Sequence, residues 1–240
     1  MKQSKTIIGA VALGAMLTAG GALAGEKSTV IFVGADGKDN SNSLYIGGVT
    51  ALNGNLGENG LLLRGVALGG EYDYDTTAVA GGDVDADMVR AELSLGYQWF
   101  LSAVRLSLYV GIDHQDHDLS PDDPMNSVEG SETGVIGQAE LETLGKGWYL
   151  SLMGNSSSAN DSYWARGRIG YAFDQVNIGP EIGAAGNDEY EEDRYGVYVT
   201  FNATDSVKIS LSGGHSDTDG DDNVKDDDGG YLTGSVSVTF

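Results

Sequence analysis

Residues 89–101, VRAELSLGYQWFL, decide the fold. Val89, Ala91, Leu93, Leu95, Tyr97, Trp99 and Leu101 occupy the odd positions. Arg90, Glu92, Ser94, Gly96 and Gln98 occupy the even ones, with Phe100 as the only large apolar exception. A helix would scatter these residues around its circumference, whereas a strand puts them on two clean faces.

The same sorting recurs in both directions along the chain. Val104, Leu106, Leu108, Val110 and Ile112 oppose Arg105, Ser107, Tyr109 and Gly111. Ala165, Ile169, Tyr171 and Phe173 oppose Trp164, Arg166, Arg168 and Gly170. Leu62, Val66, Leu68, Tyr72 and Tyr74 read as an apolar face against Leu63, Gly65, Gly69 and Asp73. About twelve strands follow: 28–35, 43–53, 60–75, 87–101, 103–114, 131–144, 146–156, 161–173, 175–185, 193–202, 206–214 and 230–240.

Alternation alone also suits a soluble sandwich. The connections discriminate. Turns at 101–103, 145, 174 and 203–205 are short and the one at 54–59 is slightly longer, while 36–42, 76–86, 115–130, 157–160, 186–192 and 215–229 read as long loops. Short turns on one side and long loops on the other are the pattern of a transmembrane antiparallel up-and-down barrel. Aromatic residues supply two interfacial girdles: Trp99, Trp148, Tyr171, Phe173, Phe201 and Phe240 at the periplasmic ends, and Tyr72, Tyr74 and Tyr163 at the outer ends. Twelve strands close into a backbone cylinder roughly 24 Å across, so side chains fill much of the bore.

Composition agrees. The 240 residues include 37 Gly, 3 Pro and no Cys, which excludes a disulfide framework and thiolate metal sites. Met1 to Ala24 has Lys2 and Lys5, an apolar run from Ile7 to Leu17 and a small-residue Ala22-Leu23-Ala24 end, the form of a cleaved signal peptide. The domains are thus 1–24, signal peptide, and 25–240, barrel. Without the leader, 11 basic residues face 36 acidic ones, which excludes nucleic-acid binding. After residue 24 no apolar stretch approaches the ~18 residues of a membrane helix, so only a closed barrel can span a bilayer. The predicted location is the outer membrane of a Gram-negative cell, with membrane lipid around the barrel. The acidic outer loops disfavour anionic ligands.

By alternation the bore is lined by Arg90, Glu92, Arg105, Asp113, Gln138, Glu140, Glu142, Arg166, Arg168, Glu181 and Arg194. Charges held there must pair or be hydrated. Arg166 and Arg168 are expected to pair with acids such as Glu140 and Glu181. The small bore of twelve strands favours a plug or narrow pore over a water-filled pore or a groove for a polar polymer. Arg64 falls on the lipid face unless the register breaks.

Two segments resemble chemical sites without matching one. His114 and His117 lie among Asp113, Asp116 and Asp118, beside Ser120, but strand residues three apart point to opposite faces. No nucleophile with an oriented base is declared, so no catalytic residue is assigned. Asp217, Asp219, Asp221, Val224 and Asp228 fall on calcium-loop positions, yet Asp222 replaces the required Gly and flanking helices are lacking. No cofactor or metal is expected beyond weak calcium binding in the 215–229 loop.

Several stretches together resemble the bacterial cellulose biosynthesis protein BcsS family. They are Gly96 to Trp99, Leu108 to Pro124 (LYVGIDHQDHDLSPDDP), Gly130 to Gly134, Ala139 to Thr143, Ser162 to Phe173 (SYWARGRIGYAF), Gly179-Pro180-Glu181, Gly186 to Glu189 and Arg194 to Gly196. The resemblance implies an outer-membrane accessory protein acting alongside a cellulose synthase, with cellulose or other synthase components as partners. It carries over no catalytic residue. The expectation is a non-enzymatic barrel assisting export or surface anchoring of the polysaccharide, with loop aromatics such as Tyr190 available to sugar rings. The alternatives are an outer-membrane enzyme acting on lipid or glycan and a small porin.

Overall fold

The computed structural model describes residues 27–220 and 224–240. The predicted signal peptide and residues 221–223 of the acidic loop lie outside them. Twelve strands follow in order: β1 Thr29–Lys38, β2 Ser41–Ala51, β3 Gly60–Asp75, β4 Asp83–Leu101, β5 Val104–Ser120, β6 Gly130–Thr143, β7 Gly147–Ser157, β8 Tyr163–Ala172, β9 Val176–Asn187, β10 Tyr190–Asn202, β11 Val207–Gly220 and β12 Asp227–Thr239. Each pairs antiparallel with its sequence neighbours, and β1 pairs with β12 to close the barrel, Val30 opposite Thr239. Closure removes every free edge, the condition for β-structure in lipid. Both ends of the described chain meet at one rim, the inner rim, where the Ser28 and Thr29 amides donate to the Phe240 carbonyl.

The burial is inside out. Leu93, Leu95, Val110, Ile112, Ile169, Ile182 and Val197 are exposed on the outer wall. Such a band is stable only against hydrocarbon. At the inner rim Trp148, 79% exposed, meets Tyr171 edge-on at 6.2 Å, and Tyr171 meets Phe173 at 4.9 Å.

Two expectations need correction. The first concerns β3. Leu62 and Arg64 are buried within the barrel, while Leu61 and Leu63 are exposed outside it. Tyr72 and Tyr74 line the interior rather than an outer girdle. No register break is involved, because β3 pairs continuously with β2 and β4. Three successive leucines, 61–63, satisfy either phase. What selects the phase is Arg64, whose guanidinium finds Glu92 inside and only lipid outside.

The second concerns the outer loops. The connections at 39–40, 188–189 and 221–226 are short, because the acidic segments read as loops are strand extensions. His114 to Ser120 continues β5, and His215 to Gly220 continues β11. Above the hydrocarbon a strand's outward face can be carboxylate rather than apolar, so polarity there does not signal a loop. On this face Glu71 pairs in register with Asp87 and Asp87 with Asp118, while Asp73 pairs with Asp85. Like charges directly opposite repel. Raising ionic strength from about 0.01 to 0.15 M shortens the screening length from roughly 30 to 8 Å. The melting temperature of the purified barrel should therefore rise by a few degrees over that range, read by heat-dependent gel migration; a fall would mean that these rows are not under repulsion.

Candidate functional site: the lumen

The inward face holds a cavity of about 1050 Å³, whose lining runs from Tyr74 and Asp226 at the outer rim to Asp205 and Thr239 at the inner rim. All six arginines of the chain point into the barrel. Each has carboxylate partners in one of four knots.

The first joins β3, β4 and β5. Glu92 and Asp113 stand directly opposite each other, an arrangement that would repel if left alone. Arg90 Nε resolves it, at 3.2 Å from Glu92 Oε1 and 2.9 Å from Asp113 Oδ1. Arg64 Nη1 takes the other Glu92 oxygen at 2.5 Å. Asp113 is 0% exposed and also accepts a bond from Gln115 Nε2 at 2.8 Å. Gln115 Nε2 donates in addition to Ser162 Oγ at 2.7 Å.

In the second knot Arg168 faces Glu181 across the β8–β9 ladder and pairs with it through Nε. Tyr231 donates to the other Glu181 oxygen at 3.0 Å. The Arg168 guanidinium lies 4.6 Å from the Tyr198 ring centroid, a cation–π contact. Arg166 Nε stands 3.9 Å from the same carboxylate. Glu181 thus serves both arginines, while Glu140 accepts instead from Gln138 at 2.6 Å.

In the third, Arg194 on β10 reaches past β11 and β12 to grip Asp36 on β1 with two bonds, 2.7 and 3.0 Å. Its Nε also donates to Glu192 at 2.6 Å, and Lys38 Nζ is 3.8 Å from that carboxylate. The fourth is Arg105 with Glu142 at 2.8 Å, where Tyr149 also donates at 2.9 Å.

Between the rims, among the described residues, Lys38 and the six arginines face Asp36, Glu92, Asp113, Glu140, Glu142, Glu181 and Glu192. Seven cations balance seven anions. The surplus negative charge of the chain lies on the rims and outer wall. Arg64, Asp36, Lys38 and Glu192 are the members missed from sequence. For Asp36 and Lys38 the signal is the alternation of β1 continuing beyond Ala35, for Glu192 it is the inward phase of β10 carried back from Arg194, and Arg64 is found only through its partner Glu92.

Glycine explains how tyrosines share this bore with so many charges. A Cβ on Gly196 would collide with Tyr231 Oη, and one on Gly34 would collide with Tyr45 Cζ. Each ring lies across a glycine of a nearby strand, flat against the wall.

Both rims are narrowed. At the inner rim the 52–59 turn folds in, because Gln98 Nε2 donates to the Leu56 and Glu58 carbonyls at 3.1 and 2.6 Å. At the outer rim the 121–129 loop straps across. Tyr74 Oη donates to Asp123 at 3.1 Å and accepts from Asn126 at 3.1 Å, while the Ser127 amide donates to Glu189 at 2.6 Å. Beside that strap, Asp188 is pushed above the usual carboxylate range by partial burial and by Asp161, Glu189 and Glu132.

The histidines diverge. His114 faces outward and bonds Thr133 at 2.8 Å, whereas His117 is buried within and meets Tyr72 Oη at 3.0 Å. They cannot act on one atom together. The predicted calcium positions Asp217 and Asp228 sit opposite each other on the β11–β12 ladder rather than around a loop. Among the described residues no group of three or more His, Cys, Asp or Glu is arranged to hold a metal.

The sequence profile of cellulose biosynthesis protein BcsS matches residues 30–240. The chain belongs to that family. This BcsS-family barrel also resembles solved structures. The crystal structure of an outer membrane channel from Pseudomonas putida F1 matches at TM-score 0.60 and 16% identity, over 91% of this chain and 97% of that one. LpxR from Salmonella typhimurium matches at TM-score 0.50 and 12% identity, over 89% of this chain and 100% of that one. No curated protein matches the sequence. The fold is therefore that of an outer membrane barrel, and the BcsS match associates it with cellulose biosynthesis.

Proposed function

We propose that this protein is a non-enzymatic accessory of cellulose production that sits in the outer membrane and assists export of the polysaccharide or its attachment at the cell surface. The observation that carries the reading is the polar cavity running between the two rims of a BcsS-family barrel, its mid-section lined by matched ion pairs. A wall of paired charges and tyrosine hydroxyls offers hydrogen bonds without a net field, which suits an uncharged polyhydroxyl chain better than an ion. The divergence of His114 and His117 argues against a catalytic pair.

Deletion in the native cell, followed by assay of cellulose amount and of the fraction retained at the surface, tests it. One of the two should fall, and a chain with His114→Ala and His117→Ala should restore both to the wild-type level. Unchanged cellulose in the deletion strain would sink the accessory role. Failure of the double variant, with the barrel folded and inserted, would favour the enzyme instead.

A further inference from the structure

The interior contains one feature that charge pairing does not require. Phe32 on β1 and Tyr45 on β2 line the cavity, with centroids 6.4 Å apart. They are held by a reciprocal arrangement in the β1–β2 register, where Phe32 faces Gly47 and Gly34 faces Tyr45. A Cβ on Gly47 would meet Phe32 Cζ at 2.5 Å, so each ring lies over the opposing glycine, along the wall of the cavity it lines. Further out on the adjacent strand, Tyr72 and Tyr74 stack at 6.3 Å and 22°. An apolar cluster of Val84, Ala86 and Leu119 backs them. The aromatic residues thus descend one wall, β3 to β2 to β1, from the outer rim inward. Tyr45 lies opposite Leu68, four residues below Tyr72 on β3, a drop of roughly 13 Å at strand rise.

Phenylalanine gains nothing from a wall of ion pairs and water. Around the same cavity, buried polar atoms lack protein partners: Asn40 Oδ1, Arg90 Nη2, His117 Nε2, Gln138 Oε1 and Asn155 Oδ1 all belong to residues lining it. His117 is 4% exposed. Unpaired buried donors and acceptors are costly unless something else satisfies them. A ligand serving both features has apolar faces for stacking and hydroxyls at its edges. The matched charges of the mid-section favour an uncharged ligand, and the acidic rims disfavour an anionic one.

We infer that the lumen binds a segment of neutral β-linked glucan lengthwise, its sugar faces stacked on the Tyr72–Tyr45–Phe32 track and its hydroxyls meeting the unpaired polar atoms around the cavity. This rests on the accessory reading above and adds the place and chemistry of contact.

The test is isothermal calorimetry on the mature barrel in detergent, with cellohexaose, maltohexaose and hexagalacturonate as probes. Cellohexaose should bind with a roughly millimolar Kd that is unchanged between low and high salt, and the anionic oligomer should not bind. Tyr45→Ala and Phe32→Ala should each weaken binding about tenfold. Gly34→Ala, which displaces the Tyr45 ring, should act in the same direction. Heat-dependent gel migration checks folding, and Tyr45→Leu replaces any variant that fails to insert. No heat with cellohexaose, equal binding of hexagalacturonate, or indifference to both aromatic variants overturns the inference. If binding is absent yet deletion still reduces cellulose, the track is wrong and the accessory role survives. If binding is present and deletion has no cellular effect, the track stands and the accessory role falls.

Discussion

Glu181→Ala should destabilise the barrel by about 3–5 kcal/mol, the largest loss expected of any single substitution in the lumen. The residue is 5% exposed and anchors three partners: Arg168 opposite it on β8, Arg166 on the same strand, and Tyr231 on β12. Truncation removes one anion and leaves two guanidinium groups close together. Arg168 would keep only its Ser210 bond and the Tyr198 ring, neither of which carries countercharge. Glu181→Gln separates charge from contact, since the amide oxygen can still accept from Tyr231; its loss should be about half as large. Arg168→Met combined with Glu181→Leu should cost less than Glu181→Ala alone, because an apolar pair leaves fewer charges stranded. Urea unfolding from lipid vesicles, followed by tryptophan fluorescence, measures all three. Equal losses for Ala and Gln would show that packing rather than the ion pair holds this knot.

The ease of reading this fold from its sequence varies from strand to strand for identifiable reasons. In β4 and β5 each inward position between Arg90 and Asp113 is charged, polar or small except Phe100 at the inner rim and Tyr109, and nearly every outward position is aliphatic or aromatic. Only one phase is physically acceptable there. In β3 the inward set, Leu62, Val66, Leu68, Tyr72 and Tyr74, is as apolar as an outward set, and Arg64 is the sole dissenting residue. A single arginine outweighs several leucines once its partner is known, since the leucines tolerate either side and the charge does not. That partner, Glu92, is 28 residues away and declares itself only when β3 and β4 are placed in register.

The arginine knots show a related limit. Direct cross-strand pairs such as Arg105 with Glu142 follow from strand order and register. The Arg194–Asp36 contact spans 158 residues and skips two strands, so neither periodicity nor neighbour pairing points to it. It depends on small side chains in between, among them Gly214 and Ser216 on β11, that let a long guanidinium pass along the wall. The acidic outer segments mislead for a different reason. A charge-rich stretch reads as irregular backbone, whereas β10 and β11 carry their ladder upward as far as Tyr190 opposite Gly220.

Arg194→Ser should convert a weakly selective bore into a cation-selective one. In the wild-type lumen the seven cations and seven anions of the mid-section are matched, so that section favours neither ion, and the knots and rim segments are expected to keep the steady current small. Arg194 is the largest neutralising group in its knot, gripping Asp36 with two bonds and Glu192 with a third. With serine in its place those two carboxylates keep the hydroxyls of Thr233 and Ser216 but only one cation, Lys38, which stands 3.8 Å from Glu192. One uncompensated charge in a partly wetted bore corresponds to about 1.4 kcal/mol of differential potential, a roughly tenfold rise in potassium over chloride permeability. Loss of the side chain should also widen the passage beside Tyr231, whose ring the guanidinium now covers at 5.0 Å, so conductance and selectivity rise together. Reversal potentials across a salt gradient in planar bilayers give the ratio directly. Adding Asp36→Asn to Arg194→Ser should cancel the selectivity and keep the conductance gain, which separates field from width. If Arg194→Ser leaves both quantities untouched, ions do not pass this knot, and the Arg194–Asp36 clasp is a structural tie between β10 and β1 rather than part of a permeable wall.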